Sequence, residues 1–192
     1  MATYSAVPIE VLETERLLLR PLREADASRI QQLFPNINVL RYMNAIIPWP
    51  YPPDGAEQFL QTILPKMAAN EEYYWGLFAK GSDEGLMGVI GLTPSSETAH
   101  RGFWLGEPYW RRGYMTEAVA AVNDWAFDRL GMNEILVYNA VANVGSHQLK
   151  ANSGGEVIGY GESDFVSGRL PAAKWRITAD AWRLHRERAC PE

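Results

Sequence analysis

The amino-acid sequence predicts a single α/β domain with a mixed, largely antiparallel central sheet and helices on both of its faces. The length of 192 residues suits one domain and allows a full hydrophobic core. Apolar residues make up 47% of the chain, which excludes an intrinsically disordered protein. Strand-like and helix-like segments alternate, and no internal repeat or linker divides them. We therefore treat residues 1–192 as one domain.

The first predicted elements are a short strand and a helix. Residues 15–22 (ERLLLRPL) place three leucines between arginines, and Pro21 ends the pairing. Asp26 can cap a helix that continues to Phe34, because the apolar residues between them then lie along one stripe.

Residues 41–53 contain four prolines and three aromatic side chains, which is typical of a fixed but irregular loop. Such rings can anchor a loop to the core or form the wall of a substrate site, and the sequence leaves both open. Residues 54–69 then predict a helix, with Pro65 as its kink or its end.

The middle of the chain predicts three strands. Residues 73–79 and 86–93 are apolar and aromatic, and the turn-forming sequence KGSDEG joins them, so we expect an antiparallel pair at the centre of the sheet. Residues 101–105 (RGFWL) form the third strand, and Gly106 and Pro108 end it.

A helix is predicted from Thr116 to just before Gly131, which stands at the usual stop position. Four apolar residues recur at helical spacing on its inner face: Val119, Val122, Ala126 and Leu130.

The remaining segments predict one strand and one helix, then two strands and a final helix. In order they are residues 134–141, 143–152, 157–160, 174–178 and 179–188. The final helix carries several arginines, and we predict a basic, solvated helix without a function.

Charge and composition exclude several classes. The formal net charge of −5 argues against nucleic acid as the main partner. The single cysteine, Cys190, excludes an internal disulfide and a cysteine-based metal cluster, and we expect a terminal thiol without a role. No apolar run approaches the roughly 18 residues of a membrane span, and the first residues lack a signal-peptide pattern. We expect a soluble, cytoplasmic protein, and the sequence does not decide between a monomer and a homodimer.

The segment from Trp110 to Thr116 (WRRGYMT) predicts an anion-binding site. It stands between a strand and a helix, and the first N–H groups of a helix lack partners within it and carry the positive end of its dipole. Arg111 and Arg112 add positive charge, and Gly113 lets the backbone approach a phosphate or pyrophosphate closely. The alternative is an ordinary strand–turn–helix connection with exposed arginines.

The sequence from Trp110 to Ala118 (WRRGYMTEA) resembles the acyl-CoA signature of the GCN5-related N-acetyltransferases (GNAT), in particular their RimJ/RimL-like branch. The opening TERLLLR also resembles the start of that branch, and the resemblance covers about residues 14–178. Trp110 and Met115 depart from the broader superfamily pattern, but a loop of this kind offers backbone amides rather than side chains to the pyrophosphate.

Residues 143–154 (NVGSHQLKANSG) resemble a second segment of the family. Asn143, Ser146, Leu149 and Gly154 match it, whereas Lys150 stands where the superfamily often has a tyrosine that protonates the leaving thiolate. The usual acid is therefore absent from its usual place.

The resemblance implies acetyl-CoA as the co-substrate and a cleft between two splayed strands for its pantetheine arm. The backbone N–H of Leu105 is the candidate donor to the tetrahedral oxyanion. The positions implied for acetyl-CoA binding are Trp104, Leu105, Gly106, Arg111, Arg112, Gly113, Tyr114, Met115, Thr116, Asn143 and Ser146.

An amine acceptor must attack in its neutral form, so a general base is useful. His100 stands where RimL-like sequences often carry a glutamate, and alternation places it on one face with Gly102 and Trp104. Glu107 is the second candidate. Each has a plainer interpretation, His100 as a surface residue at the end of a strand and Glu107 as a cap of the loop.

Ser146 is the remaining candidate to meet the departing thiolate, through a hydrogen bond or a water relay, although it could equally cap its helix. Asn143 could contact the pantetheine arm, cap the same helix, or do both. No metal-binding motif is present, so we expect no metal.

We therefore expect an enzyme that transfers an acetyl group from acetyl-CoA to a primary amine by direct attack. The α-amine of a protein or peptide is the first expectation, because that is the acceptor of the branch that the chain resembles, and a small-molecule amine is the second. The alternative is a non-catalytic acyl-CoA-binding or regulatory module.

Overall fold

A computed structural model describes residues 7–189, so the expectation for Cys190 lies outside the described residues. The strands are β1 Leu12–Glu13, β2 Leu17–Pro21, β3 Tyr73–Ala79, β4 Gly88–Leu92, β5 Arg101–Leu105, β6 Glu134–Ala140, β7 Glu156–Phe165 and β8 Gly168–Thr178. The helices are α1 Ala27–Leu33, α2 Ile37–Leu40, α3 Gly55–Ala68, α4 Tyr114–Asp128, α5 Val144–Ala151 and α6 Ala179–Ala189.

The strands form two antiparallel sheets. The first has the order β1-β2-β3-β4-β5 and the second the order β6-β8-β7. The predicted central pair is confirmed, since β3 lies in the middle of the larger sheet and pairs antiparallel with β4. The two sheets meet at His100, immediately before β5, where its backbone N–H donates to the carbonyl of Leu136 in β6 at 2.7 Å. Within residues 7–189 no ladder joins β5 to β6, so the two strands are not paired beyond this junction.

Helices cover both faces of the larger sheet, as predicted. On one face the four apolar residues predicted for α4 are all buried in a core with the leucines of β2. On the other face Ile30 of α1 packs with Leu60 and Ile63 of α3. Strand β5 contributes to both cores, Trp104 to the second and Leu105 to the first. It therefore packs against helices on both faces of the sheet.

Several elements differ from the prediction, most clearly α2, α4 and the strands β7 and β8. The short helix α2 was not predicted, and α4 begins at Tyr114 rather than Thr116. Strands β7 and β8 form a long hairpin, whereas the sequence predicted only residues 157–160 and 174–178. The hairpin extends through glycines and Pro171, which weaken a strand pattern, because its outer half is largely exposed and needs no continuous apolar face.

The last helix, α6, was predicted to be solvated, and this is wrong for one side. Trp182 is buried and its indole N–H donates to Asp124 of α4 at 2.7 Å. Arg186 also contacts Asp124, at 3.3 Å. Helix α6 therefore packs against α4 through an indole that the arginine-rich pattern did not indicate. Within residues 7–189, no helix is long and apolar enough to span a membrane.

Candidate active site

The predicted anion-binding segment lies at the start of α4. A short 3-10 helix, Glu107–Tyr109, follows β5, and the chain then turns with positive φ at Arg111 (61°) and Gly113 (78°). The first intrahelical bond is donated by Glu117 to the carbonyl of Gly113, so the N–H groups of residues 114–116 have no acceptor within the helix. The open first turn that the sequence predicted is present.

The side chains of this segment divide into two groups. Arg111, Arg112 and Thr116 are exposed, and within the described residues neither arginine forms an ion pair. Met115, in contrast, is buried in the core, so only its backbone can face an anion. Positive charge and free N–H groups therefore converge on one surface, which suits a pyrophosphate.

Glu117 ties this loop to the start of the chain. Its carboxylate accepts hydrogen bonds from the hydroxyl of Thr14 and from both the backbone N–H and the Nε of Arg16, the latter two at 2.8 Å. Arg16 also donates to the carbonyl of Arg112 at 2.9 Å and lies over the ring of Tyr114. Burial alone would raise the pKa of Glu117, but the bonds from Thr14 and Arg16 lower it overall. The opening segment at Thr14 and Arg16 and the segment from Trp110 to Ala118 thus form one structural unit that fixes the loop.

The gap between β5 and β6 exposes backbone groups of β5. Gly106 donates its N–H to Met87 at 2.8 Å, and bonding alternates along an antiparallel strand, so the N–H of Leu105 faces away from β4 toward the gap. The carbonyl of Leu105 accepts from the indole of Trp110 at 2.7 Å. The N–H of Leu105 lies on the side that the oxyanion role requires, whereas the N–H of Gly106 is already used.

A cavity of about 500 Å³ lies beside β5, on the face of the larger sheet that α1 and α3 cover. These two helices, β4 and the loop of residues 41–53 form its walls. His100, Gly102 and Trp104 all line it, as does Phe103 between them. Most of its wall is apolar or aromatic, including Phe34, Tyr51 and residues of the proline-rich loop. Of the two interpretations of that loop, a substrate wall is therefore compatible with its position.

His100 is half-buried at the junction of the two sheets. Its Nδ1 accepts a hydrogen bond from the backbone N–H of Leu136 at 2.9 Å. Burial lowers the pKa of His100, and the nearby Glu134 carboxylate opposes this shift. A neutral ring whose Nδ1 accepts carries its proton on Nε2. It can donate to a neighbour, but it can take up a proton only by losing the bond to Leu136.

Glu107, the second candidate base, does not line the cavity. It is exposed, and its carboxylate accepts hydrogen bonds from the side-chain amides of Asn36 at 2.6 Å and Asn38 at 3.1 Å. These contacts support the plainer interpretation, in which Glu107 fixes the loop after β5.

Helix α5 presents the second matched segment. Asn143 is its N-cap and accepts from the N–H of Ser146 at 3.1 Å, so the interpretation of Ser146 as the cap is wrong. The Ser146 hydroxyl instead accepts a hydrogen bond from Lys150, one turn later, at 2.6 Å. Because the oxygen accepts from Lys150, its own proton remains for another partner.

Lys150 is only 2% exposed, and its ammonium lies 5.7 Å from the centre of the Phe103 ring. Burial, and then the positive charge of Arg101, lower the pKa of Lys150 to about 7. No ion pair among residues 7–189 involves either side chain. The residue that replaces the family's tyrosine is thus a buried amine that can release a proton near neutral pH.

Arg101 is a buried residue that sequence reasoning did not single out. Its guanidinium donates to the side-chain oxygen of Asn123 in α4, while its Nε and Nη2 have no partner within the described residues. Burial lowers the pKa of Arg101 to about 10. An arginine at the start of a strand usually lies in solvent, so no sequence signal indicated this placement. Among residues 7–189, no group of three or more His, Cys, Asp or Glu could hold a metal ion.

Comparisons with known proteins find N-acetyltransferases among the similar chains. An uncharacterized N-acetyltransferase of Bacillus subtilis, YoaA, is 28% identical over 152 residues, covering 75% of this chain and 81% of that protein. The ribosomal-protein-S5-alanine acetyltransferase of Vibrio fischeri has a similar fold, with a TM-score of 0.77, 19% identity and coverage of 91% and 99% of the two chains. The Vibrio cholerae spermidine N-acetyltransferase, solved with CoA and spermine, has a TM-score of 0.73, 20% identity and coverage of 88% and 99%.

The family profile of the acetyltransferase (GNAT) domain matches residues 16–156, most of the described chain. That range includes the anion-binding loop, the gap between β5 and β6, and helix α5. The chain therefore belongs to the GCN5-related N-acetyltransferase family.

Proposed function

We propose that the protein transfers an acetyl group from acetyl-CoA to a primary amine by direct attack in a ternary complex. The observation that carries the proposal is the arrangement around β5. The cavity lies beside this strand. The N–H of Leu105 faces the gap between β5 and β6. The anion-binding start of α4 comes shortly after β5 in the chain. An α-amine of a protein or peptide is the first proposed acceptor, and a small-molecule amine is the second.

The residues at the start of α4 suit the pyrophosphate of CoA. Among the described residues, a Cβ atom added at Gly113 would have a single neighbour within 4 Å, the guanidinium of Arg16 at 3.2 Å, so the space over this glycine is open there. Arg111 and Arg112, with the N–H groups of residues 114–116, would hold the pyrophosphate. Asn143 and the backbone of residues 104–105 would contact the pantetheine arm.

Ser146 and Lys150 supply a route for the proton that the leaving group needs. The amine nitrogen forms a bond to the thioester carbon, and the N–H of Leu105 stabilises the oxyanion. When the carbon–sulfur bond breaks, the Ser146 hydroxyl gives its proton to the thiolate and takes one from the Lys150 ammonium. The attacking nitrogen, which is cationic in the tetrahedral intermediate, loses its extra proton to solvent water as the amide forms, and Lys150, left neutral, is reprotonated from solvent, so one proton leaves and one enters. The alternative function, a non-catalytic acyl-CoA-binding module, draws its support from the absence of the usual tyrosine.

A turnover experiment separates these two functions. We expect free CoA thiol to appear at a rate that depends on the added primary amine, and mass spectrometry to find the amine 42 Da heavier. Binding of acetyl-CoA without amine-dependent thiol release, over a broad panel of peptides and small amines, would favour the binding module.

His100 is proposed to position the acceptor and hold the junction, rather than to act as the base. We expect His100→Asn to keep kcat within about threefold of the wild type, because an amide oxygen can still accept from the N–H of Leu136. His100→Ala should lower kcat about tenfold. The pH profiles of kcat for both variants provide the check: loss of the acidic limb in both would show that His100 is the base.

A further inference from the structure

We propose that the acceptor is a primary amine attached to a bulky apolar or aromatic group, and that polyamines and amines flanked by charged groups are poor acceptors. This inference rests on the proposed function and adds the class of substrate. It is drawn from the wall of the cavity beside β5.

Among residues 7–189, the wall of the cavity contains no formally charged side chain. None of its 21 lining residues is Asp, Glu, Lys or Arg. His100 is the lining residue that could become charged near neutral pH, and burial lowers its pKa. A second ammonium group on an acceptor would therefore lose its water without meeting a carboxylate, which is costly.

Two polar side chains at the wall, Tyr74 and Gln58, donate to carboxylates that do not line the cavity. The hydroxyl of Tyr74 donates to Glu72 at 3.0 Å, and Glu72 in turn pairs with Lys66 at 2.7 Å. Gln58 donates its side-chain amide to Asp54 at 2.8 Å. Tyr74 thus turns its ring rather than its hydroxyl toward the cavity, and the carboxylate behind it is neutralised.

The inner surface is a set of packed aromatic rings. Phe34 contacts the ring of Tyr51 edge-on, with centroids 5.1 Å apart, and the ring of Trp104 at 4.9 Å. Phe59 packs edge-on against Tyr74 at 5.6 Å. Rings fixed against one another form a preorganised apolar surface, so an apolar group can bind there without first ordering the wall.

Gly102 deepens the cavity at the sheet. It pairs with Gly91 of β4, and a Cβ atom added at Gly102 would have no neighbour within 4 Å. At Gly91 the corresponding atom would collide with the ring of Tyr74. The space over one glycine is therefore filled by an aromatic ring, whereas the space over the other is open to a ligand.

The rim of the cavity is also apolar and is held in place. Ile46 lines the cavity and is 86% exposed. Its loop is fixed by hydrogen bonds from Asn44 to the hydroxyl of Tyr138 at 2.8 Å and from the N–H of Ala45 to the carbonyl of Asp164 at 3.0 Å. An acceptor therefore meets apolar surface at the entrance as well as inside.

An amine of this class could be the N-terminus of a peptide or a small free amine. One panel of acceptor substrates distinguishes the two. Tetrapeptides that differ only in the first residue (Phe, Leu, Ala, Asp or Lys) are compared with 2-phenylethylamine and spermidine at a fixed acetyl-CoA concentration. Burial of a large apolar side chain should raise kcat/KM by about 10- to 100-fold over Ala, Asp or Lys. Preference for the peptides indicates a protein acceptor, and preference for 2-phenylethylamine indicates a small molecule.

A substitution at Gly102 tests whether the apolar wall of this cavity selects the acceptor. Gly102→Val fills the open space without a steric collision and should lower kcat/KM for the Phe peptide at least tenfold, with CoA affinity unchanged. Gly161→Val is the matched control, because it adds the same side chain to open space on β7, outside the cavity wall.

Acceptor binding is measured separately, by Trp fluorescence in the presence of CoA. This measurement distinguishes a wrong acceptor class from a wrong proposal of acetyl transfer. Tight binding of apolar amines without turnover would support the class and contradict the proposed transfer. Preferred acetylation of spermidine or of the Asp or Lys peptides would overturn the class while the transfer stands. Absence of both binding and turnover would overturn the class as well.

Discussion

Gly113→Val should weaken CoA binding at least ~100-fold, a loss of about 2.7 kcal/mol of binding free energy. The valine side chain would stand over the open first turn of α4, where the pyrophosphate is proposed to lie. Isothermal titration calorimetry with CoA measures this effect directly.

The matched control for this substitution is Gly131→Val. Gly113 and Gly131 have similar positive φ angles, 78° and 70°, so valine introduces comparable backbone strain at either end of α4. A Cβ atom at Gly131 has no neighbour within 4 Å. We expect both variants to lose stability and only Gly113→Val to lose CoA affinity. Equal affinity in the two variants would contradict the assignment of the loop.

Lys150→Met should raise the free energy of unfolding at pH 6 by on the order of 3 kcal/mol. The pKa of Lys150 falls from 10.5 to about 7 on folding, so below pH 7 the folded protein carries the full cost of a buried charge. Between pH 7 and 10.5 the unfolded chain binds a proton that the folded chain has released, so wild-type stability increases with pH through this window. The advantage of the variant should therefore be greatest at or below pH 7 and shrink as the pH rises, as urea unfolding from pH 6 to 9.5 would show.

The same substitution should lower kcat about 10- to 100-fold, because the Ser146 hydroxyl loses its proton source. Lys174→Met is the control for the stability measurement, since Lys174 is exposed and its removal should leave the free energy of unfolding unchanged. A variant that is more stable but fully active would leave Lys150 without a role in proton transfer. A pH-independent stability difference would show that Lys150 does not titrate in this window.

The sequence predicted those elements in which local pattern and burial agree. Strand β3 and its partner β4 are continuous apolar runs joined by a strongly turn-forming segment, and α4 has a full apolar stripe, with Gly131 three residues beyond its end. The hairpin of β7 and β8 was underestimated because its exposed half has little apolar alternation. The buried Trp182 on α6 was missed because the pattern of arginines around it is typical of a solvated helix.

The candidate site could be predicted only where backbone geometry decides it. A glycine before a helix indicates an open first turn wherever the chain folds, so the loop at Gly113 was found. The contacts of Lys150, Arg101 and Glu117 depend on residues 4 to 103 positions away, and no local pattern encodes whether such a charge is buried, paired or free. His100 was predicted as a candidate site residue, but the bond from Leu136 that fixes its tautomer depends on how two sheets meet.

The most direct test of acyl-CoA use is thermal unfolding of the wild-type protein with CoA, acetyl-CoA, ATP and NADH in parallel. A ligand present at 100 times its Kd should add ~2.7 kcal/mol of stability. We expect CoA and acetyl-CoA to raise Tm and the two nucleotides to leave it unchanged, because the loop at Gly113 is proposed to act together with the pantetheine cleft between β5 and β6. No shift with CoA or acetyl-CoA, or an equal shift with ATP or NADH, would contradict the proposed binding site and the reaction that depends on it.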